Sequence, residues 1–321
     1  MKLINAKIIA IIGTADYVQT AYADLRRQDN ITIIGNSCFD YYKFFCKKFH
    51  LTELKIVYYI LSFYFVKRYC SHKKTNVILM HGVDHLWNTD LPFYSLAKKS
   101  YDVKFVGLFW DSIDFVRYEA YKYKDKYDLM INADPEINQK YGVVNYPHAF
   151  YSKVDIKPIE EKCDVFYLGE DGGRLPMMEK VYAKLTKMGL TCVFYCGRSE
   201  KAGKTINGIK HIARMPYLEY LSHLNNCRVI LDILKPGIKG PSFRHIEGTV
   251  YDKKVLTNNP IVKELCFYDE KQFYVFDDNL VFDEEFLRRD LQKPNVHKDD
   301  LSPLKFIEFV CSQLGLEKNT V

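Results

Sequence analysis

The sequence predicts an α/β protein made of two Rossmann-like domains, each built around a parallel sheet. Short apolar runs alternate with helical patterns along the chain, which is the order of successive βαβ units. The chain has 321 residues, 48% of them hydrophobic, which is enough for about two domains with full cores. A polar run with one proline, at 151–162, separates two complete α/β patterns.

The first half is predicted to contain short apolar strands separated by helices. The strands fall near 7–12, 31–35, 76–80, 104–109, 128–132 and 143–146. The helices fall at 15–27, 40–69, 90–99 and 114–124. The apolar N-terminus has no small-residue cleavage site and runs into a glycine turn, so we expect a buried first strand and not a signal peptide.

The second half repeats this alternation. Its strands are predicted near 163–168, 190–196, 209–213, 227–233, 253–257 and 273–276, and its helices at 174–188, 216–225, 242–251 and 302–314. The predicted domains are 1–153, 154–300 and a C-terminal helix within 301–321 that could cross back to the first domain. Two parallel sheets that follow one another along the chain predict a ligand cleft between the carboxyl ends of their strands.

Composition narrows the classes of function. The nine cysteines are scattered without a C-x-x-C pair, which is typical of a protein in a reducing cytoplasm. The histidines form no H-E-x-x-H motif, and no G-x-G-x-x-G follows the first strand, which argues against a metal hydrolase and a dinucleotide dehydrogenase.

The segment 41–74 carries most of the positive charge. It has eight lysine or arginine residues, one acid and eleven aromatic residues, whereas the other residues are nearly neutral in sum. Its apolar stretch at 56–66 is too short to span a membrane, because about 20 residues are needed. We expect a helix that lies on an anionic membrane surface. A buried helix with solvated basic ends is the alternative, and nucleic acid is disfavoured because no nucleic-acid motif accompanies the charge.

A glycine loop followed by a short helix is predicted at 239–251. The amide groups that open a helix attract phosphate, and Arg244 and Glu247 lie three residues apart on one helix face. An arginine suits a diphosphate and a carboxylate suits ribose hydroxyls. The alternative is a capped surface helix with an ion pair between those two residues.

Further glycine and basic residues fall at predicted strand ends. Gly169 belongs to a turn in which glycines allow close approach of a ligand, and Arg174 opens the next helix. Arg198 and Lys235 follow two other strands. Together with Arg244 they predict a site for a polyanionic donor.

The order of short motifs resembles GT-B glycosyltransferases of bacterial polysaccharide and lipopolysaccharide biosynthesis. In the second half the matching pieces are Val-Phe-Tyr-Leu-Gly at 165–169, Tyr-Leu-Glu-Tyr-Leu at 217–221, Leu-Asp-Ile at 231–233, Ser-Phe-Arg-His-Ile-Glu at 242–247 and Lys-Val-Leu-Thr-Asn-Asn at 254–259. In the first half they are Phe-Trp-Asp-Ser-Ile at 109–113, the run 127–136 and Lys-Tyr-Gly at 140–142. These pieces lie between residues 109 and 259, which is about half of the chain.

The resemblance implies GT-B architecture, with a nucleotide-sugar donor in the C-terminal domain and an acceptor over the N-terminal domain. It places Tyr217 near the base, Glu247 near the ribose, and Ser242 with Arg244 near the diphosphate. The paired glutamate of many retaining members is missing, because the residue seven positions beyond Glu247 is Lys254. Inversion and retention therefore both stay open.

Sugar transfer needs an aligned acceptor hydroxyl and stabilisation of the departing diphosphate. Arginines and helix amides can perform the second task, and no convincing D-x-D pair ends a strand, so we predict metal independence and no cofactor. The candidate general bases are Asp111, Asp16 and His81, each after a predicted strand. Asp111 and Asp16 could instead cap the helices that follow them.

The sequence thus predicts a glycosyltransferase that moves a sugar from a nucleoside diphosphate sugar to a glycan acceptor, lipid-linked, in cell-surface polysaccharide synthesis. It is expected in the cytoplasm, peripheral on the inner face of the cytoplasmic membrane. A nucleotide-sugar epimerase of the same fold would need no second acceptor. A non-catalytic scaffold would bind nucleotide without turnover, or not at all.

Overall fold

The computed structural model describes residues 6–35, 55–82, 92–157, 159–160, 162–238, 240–293, 295 and 297–316. The chain divides into two compact units, unit 1 with Met1–Pro147 and Ser302–Val321, and unit 2 with His148–Leu301. The boundaries predicted after 153 and 300 differ from these by a few residues. The run after Pro147 contacts unit 2, where the amide of Tyr151 donates to the carbonyl of Leu301 at 2.8 Å and the amide of Val154 donates to the Tyr251 hydroxyl at 3.2 Å.

Unit 1 is built on a parallel sheet whose strands were all predicted from the sequence. They are β1 (Ala6–Ile12), β2 (Ile31–Gly35), β3 (Thr75–His81), β4 (Val103–Phe109), β5 (Leu129–Asn132) and β6 (Val144–Asn145). The strand order is β2-β1-β3-β4-β5-β6. The inner strands are buried along nearly their whole length, because helices cover both faces of a parallel sheet.

In its first 147 residues, the described part of unit 1 contains the helices α1 (Asp16–Ala21), α2 (Lys55–Tyr69), α3 (Pro92–Ser100), α4 (Ser112–Arg117) and α5 (Pro135–Tyr141). Helices α1 and α4 are shorter than predicted. The predicted helices 15–27 and 114–124 continue as 3-10 turns at Ala23–Arg27 and Ala120–Lys126. The part of the predicted helix 40–69 before 55 lies outside the described residues. Within the described part of the chain, no helix is both long enough and apolar enough to cross a membrane.

Helix α5 was not predicted, although its ends carry clear signals. Asp134 accepts a hydrogen bond from the amide of Glu136 at 2.9 Å, and Pro135 occupies the first turn. Gly142 ends the helix in the left-handed conformation, at a φ of 63°. The helix is too short for an apolar period to be visible, so only its caps could have identified it.

Unit 2 is built on a larger sheet. Its strands are β7 (Cys163–Glu170), β8 (Cys192–Gly197), β9 (Thr205–Ile206), β10 (Ile209–His211), β11 (Cys227–Asp232), β12 (Lys254–Thr257) and β13 (Phe273–Val275), in the order β13-β12-β11-β7-β8-β10-β9. All pairs are parallel except β9 with β10. Strand β9 was missed, although Asn207 and Gly208 both have positive φ and form the two-residue turn typical of a hairpin.

Helices α6 (Leu175–Lys187), α7 (Tyr217–Asn226) and α8 (Phe243–Val250) and a 3-10 turn at Pro260–Glu264 lie between these strands. Helix α9 (Glu284–Arg288) and a 3-10 turn at Lys298–Leu301 follow the last strand. The last helix, α10 (Pro303–Gln313), belongs to unit 1, where Phe306 packs against Tyr146 at 5.0 Å between ring centres.

Each sheet has a point where its strand order reverses. In unit 2 the chain goes from β7 to β8 on one side, and later returns to place β11 on the other side of β7. In unit 1 the corresponding point lies between β1 and β3. Ligands of such sheets bind outside the carboxyl ends of the strands at this switch point. Both units are therefore Rossmann-like, which confirms the predicted fold class.

Candidate functional site

Arg244 bridges the two strands at the switch point of unit 2. Its Nη2 donates to the carbonyl of Leu168 in β7, and its Nη1 lies 3.7 Å from Oδ1 of Asp232, at the end of β11. The guanidinium lies 5.5 Å from the ring centre of Tyr167. Its buried Nε has no hydrogen-bond partner among the described residues. A buried N–H group of this kind is costly to leave unpaired, so it favours a polar ligand at this position.

Arg174 joins the same two strand ends from the other side of the turn after β7. Its Nη2 donates to the carbonyl of Glu170 at 2.7 Å, and its Nη1 lies 3.4 Å from the carbonyl of Ile233. Two guanidinium groups are therefore held at the carboxyl ends of β7 and β11. Such a pair of cations attracts an anion with several oxygen atoms.

Ser242 begins helix α8 with a capping box. Its Oγ accepts from the amide of Arg244 at 3.2 Å, and His245 Nδ1 accepts from the amide of Ser242 at 3.4 Å. The Ser242 hydroxyl also donates to Oδ1 of Asp232 at 2.7 Å. The loop before α8 is thus anchored to β11, although Lys239 in that loop lies outside the described residues.

Glu247 and Tyr217, predicted to lie near the ribose and the base of a nucleotide, are hydrogen-bonded to each other. The Tyr217 hydroxyl donates to Oε1 of Glu247 at 2.5 Å, and the Tyr220 hydroxyl donates to Oε2. Glu247 is only 2% exposed. Burial raises its pKa to about 7, although the hydrogen bonds from the two tyrosines and the charge of Arg244 act in the opposite direction. The predicted contact of Glu247 with a ribose would therefore require this tyrosine pair to move.

The variant Glu247→Gln should remove a pH dependence of stability. The pKa of Glu247 rises from 4.5 to about 7 on folding, so both states are protonated below pH 4.5. As the pH rises through this window the unfolded chain releases the proton first, and the native state loses roughly 3 kcal/mol relative to the variant. Urea unfolding at several pH values measures the difference. The raised pKa of Glu247 would be contradicted if the difference in free energy of unfolding between wild type and variant stayed constant from pH 4.5 to 8.

The remaining predicted donor residues are placed differently. Gly169 is buried, and a Cβ there would lie 2.2 Å from the Tyr167 hydroxyl, so a larger residue would force the Tyr167 ring to shift. Lys235 is exposed, and its side chain passes close to the turn at Gly172. Arg198 is also exposed and pairs with Glu170 at 3.1 Å. Both cations lie in the turns at the carboxyl edge of the sheet, outside the buried network around Arg244.

Sequence reasoning missed several residues that complete the network. Asp232 was noted in the Leu-Asp-Ile piece at 231–233 and at the end of a strand, without a role, yet it is 2% exposed and contacts both Ser242 and Arg244. Thr257, at the end of β12, donates to its Oδ2 at 2.8 Å. The signal available in the sequence was an aspartate near the end of an apolar strand, a few residues before the glycine loop.

The candidate bases lie at the ends of strands of unit 1 or in the turns that follow them. Asp111 caps α4, accepting from the amide of Asp114 at 3.0 Å, which is the alternative raised from the sequence. Asp16 is the first residue of α1 and is exposed, while Ala15 takes the cap position. His81 ends β3, is buried, and contacts the Trp110 ring edge at 4.1 Å between centres. Because β1 and β3 are neighbours, Asp16 and His81 both lie at the switch point of unit 1.

Across the described ranges, no group of three or more histidine, cysteine, aspartate or glutamate side chains has an arrangement that could hold a metal ion.

The fold and this site define an α/β protein with two Rossmann-like units and a basic switch-point site in the second. No family model and no curated protein matches the sequence. Among solved structures, it is similar to a chain of the GtfA/B complex, with 13% identity and a TM-score of 0.42 over 79% of this chain and 59% of that one. A TarM variant from S. aureus in complex with UDP and other ligands has 11% identity and a TM-score of 0.41, with 80% and 57% covered.

An E. coli structure described as trehalose-6-phosphate bound with UDP-2-fluoro glucose has 10% identity and a TM-score of 0.45, with 95% of this chain and 89% of that one covered. This chain spans less than two thirds of the GtfA/B and TarM chains.

Proposed function

We propose that this protein is a glycosyltransferase of GT-B type that takes its sugar from a nucleoside diphosphate donor bound to unit 2. The observation that carries the proposal is the pair of guanidinium groups, from Arg174 and Arg244, at the carboxyl ends of β7 and β11. The unpartnered buried Nε of Arg244 supports a ligand with hydrogen-bond acceptors there. A diphosphate supplies both the charge and the acceptors.

The same groups would stabilise the leaving diphosphate. Negative charge develops on its oxygen atoms as the bond to the sugar breaks, and fixed guanidinium groups stabilise that charge without reorganisation. We therefore propose transfer without a metal or another cofactor. Ser242 would hold the first turn of α8 beside Arg244, because its hydroxyl donates to Asp232 and accepts from the amide of Arg244.

The acceptor would be a glycan, lipid-linked, in cell-surface polysaccharide synthesis. Asp111, Asp16 and His81 are the candidates for the base that removes the proton from the acceptor hydroxyl. Asp16 and His81 have the better position for this role, because they lie at the switch point of unit 1. Asp111 is already engaged as a helix cap.

A membrane partner is supported by the outer face of helix α2. Ile60, Phe63 and Tyr64 are between 47% and 66% exposed, and Lys67 and Arg68 continue the same face one turn later. The opposite face, with Phe65 and Val66, packs into the core of unit 1. Exposed aromatic residues followed by cations fit an anionic lipid surface on the cytoplasmic side. Residues 41–54 of the basic segment lie outside the described residues.

Charge reversal on this face should weaken vesicle binding. Each cation near an anionic membrane contributes about 1 kcal/mol, so the double variant Lys67→Glu/Arg68→Glu should lower partitioning onto phosphatidylserine vesicles by at least about tenfold. The matched control, Lys184→Glu/Lys187→Glu, makes the same charge change on exposed positions of α6 and should bind as wild type does. Equal sedimentation of all three proteins with vesicles would contradict the membrane proposal.

The donor is tested with UDP, GDP, CDP and dTDP in thermal unfolding. A nucleotide present at one hundred times its dissociation constant stabilises the native state by about 2.7 kcal/mol, which raises the melting temperature. Donor sugar consumption is then measured with and without added acceptor. Consumption that requires the acceptor supports transfer, whereas consumption without it would indicate an epimerase. Stabilisation by none of the four nucleotides would overturn the proposal.

A further inference from the structure

The carboxylate of Asp232 is the centre of the hydrogen-bond network in unit 2. Oδ1 accepts from the Ser242 hydroxyl at 2.7 Å and lies 3.7 Å from Nη1 of Arg244. Oδ2 accepts from the Thr257 hydroxyl at 2.8 Å and lies 3.1 Å from Nε2 of His245. Its partners in α8 all belong to the first turn or to the cap of that helix.

This carboxylate remains charged despite its burial. Burial by itself would raise the pKa of Asp232, but the hydrogen bond from His245 and the charge of Arg244 outweigh it and hold the pKa well below its usual value. A buried charge of this kind contributes little net stability compared with apolar packing, because its desolvation is costly. Its specific effect is to fix the orientation of the groups that point at it.

His245 transmits this orientation to the cap of α8. Its Nδ1 accepts from the amide of Ser242, so the ring hydrogen lies on Nε2, which faces Asp232. The Ser242 hydroxyl uses its only hydrogen on Asp232, and its oxygen then accepts from the amide of Arg244. Two separate chains of hydrogen bonds therefore run from Asp232 to the turn that carries Arg244.

We propose that Asp232 is a positioning residue for diphosphate binding, which acts through Ser242 and His245 to hold Arg244 at the switch point. The inference rests on the proposed donor site. Asp232 itself does not need to touch the ligand. Its role is to keep the first turn of α8 and the guanidinium in one arrangement before binding, so that less ordering is required when the anion arrives.

Pyrophosphate is the probe, because it tests the diphosphate site independently of base and sugar. Titration calorimetry on the full chain should show that Asp232→Asn weakens pyrophosphate binding by at least about tenfold, the value of one charge-assisted hydrogen bond. Ser242→Ala should weaken binding in the same direction but by a smaller factor, because it breaks only the chain that runs through the Ser242 hydroxyl. The double variant should bind no more weakly than Asp232→Asn alone, because Asp232→Asn already removes the charge from which both chains start.

Thr257→Val is the matched control, since it also removes a hydrogen bond to Asp232 but lies on β12 and not on α8. The Thr257 hydroxyl lies 3.3 Å from Nε2 of His245, and in this variant His245 keeps its own contact with Asp232. It should lower the melting temperature and leave the pyrophosphate affinity within about twofold of wild type. The positioning role is overturned if Asp232→Asn keeps the wild-type affinity, if the two single effects multiply in the double variant, or if Thr257→Val weakens binding equally.

Two further results show whether the positioning role alone or the whole donor site is wrong. If wild type does not bind pyrophosphate, the donor site and the positioning role both fail. If wild type binds and Asp232→Asn binds equally, only the positioning role fails. Should Asp232→Asn not fold, Ser242→Ala decides alone, and an unchanged affinity in that variant overturns the inference.

Discussion

Replacing Arg244 with alanine should weaken pyrophosphate binding by about 100-fold. The side chain supplies charge-assisted hydrogen bonds to the proposed ligand, and loss of such a partner typically costs 2–5 kcal/mol. The change also removes the cation beside the buried carboxylate of Asp232. Arg244→Lys keeps the charge but loses the planar fork, so an intermediate affinity is expected. Titration calorimetry measures all three proteins.

The control for net charge is Arg289→Ala. Arg289 is an exposed arginine that pairs with Glu285 on α9, so its removal changes the overall charge equally without touching the switch point. The affinity of the Arg289→Ala variant for pyrophosphate should stay within about twofold of wild type, because exposed ion pairs contribute little to stability. If Arg244→Ala and Arg289→Ala bind equally well, the anion does not bind at the switch point.

Replacing Gly248 with alanine should destabilise the protein by about 2–3 kcal/mol, the cost of an overpacked core. Gly248 lies in α8, where a Cβ would be 2.3 Å from Cγ2 of Val255 in β12. Val255 is fully buried and, as a β-branched residue, cannot rotate away easily. Urea unfolding measures the size and the sign of the change in the free energy of unfolding. At an open helical position alanine would stabilise by about 1 kcal/mol relative to glycine, so the sign alone distinguishes the cases.

The double variant Gly248→Ala/Val255→Ala tests the contact directly. Val255→Ala alone leaves a cavity and is destabilising. In the double variant the new methyl group occupies part of that cavity, so the loss should be smaller than the sum of the two single losses. Additive losses, or a stabilised Gly248→Ala, would contradict the close packing of α8 on β12.

Much of the fold was predictable because a parallel sheet buried on both faces requires nearly continuous apolar runs. All twelve predicted strands are present, and β1 and β11 match the prediction within a residue. The elements that were missed are short. Helix α5 and hairpin strand β9 are specified by their end residues, Asp134, Gly142 and the Asn207–Gly208 turn, and not by hydrophobic period.

The site was predictable only as a position in the fold. Arg174 and Arg244 were selected because they follow strands or open a helix, and Ser242 was selected from the resemblance. The structure brings all three to the ends of β7 and β11. Glu247 was assigned to a ribose from its place on the same helix face as Arg244. Its pairing with Tyr217 and Tyr220, about thirty residues earlier in the chain, could not be read from that face.

The sequence by itself determined the strands, the order of the two units and the residues that end the strands, because burial and backbone conformation act locally along the chain. The tertiary structure alone decided that Asp232 is the charge on which Ser242, His245 and Arg244 converge. The physical reason is that contacts between side chains depend on strand order across the sheet. β11 is placed beside β7 by a crossover, and this neighbour relation leaves no periodic trace in the sequence.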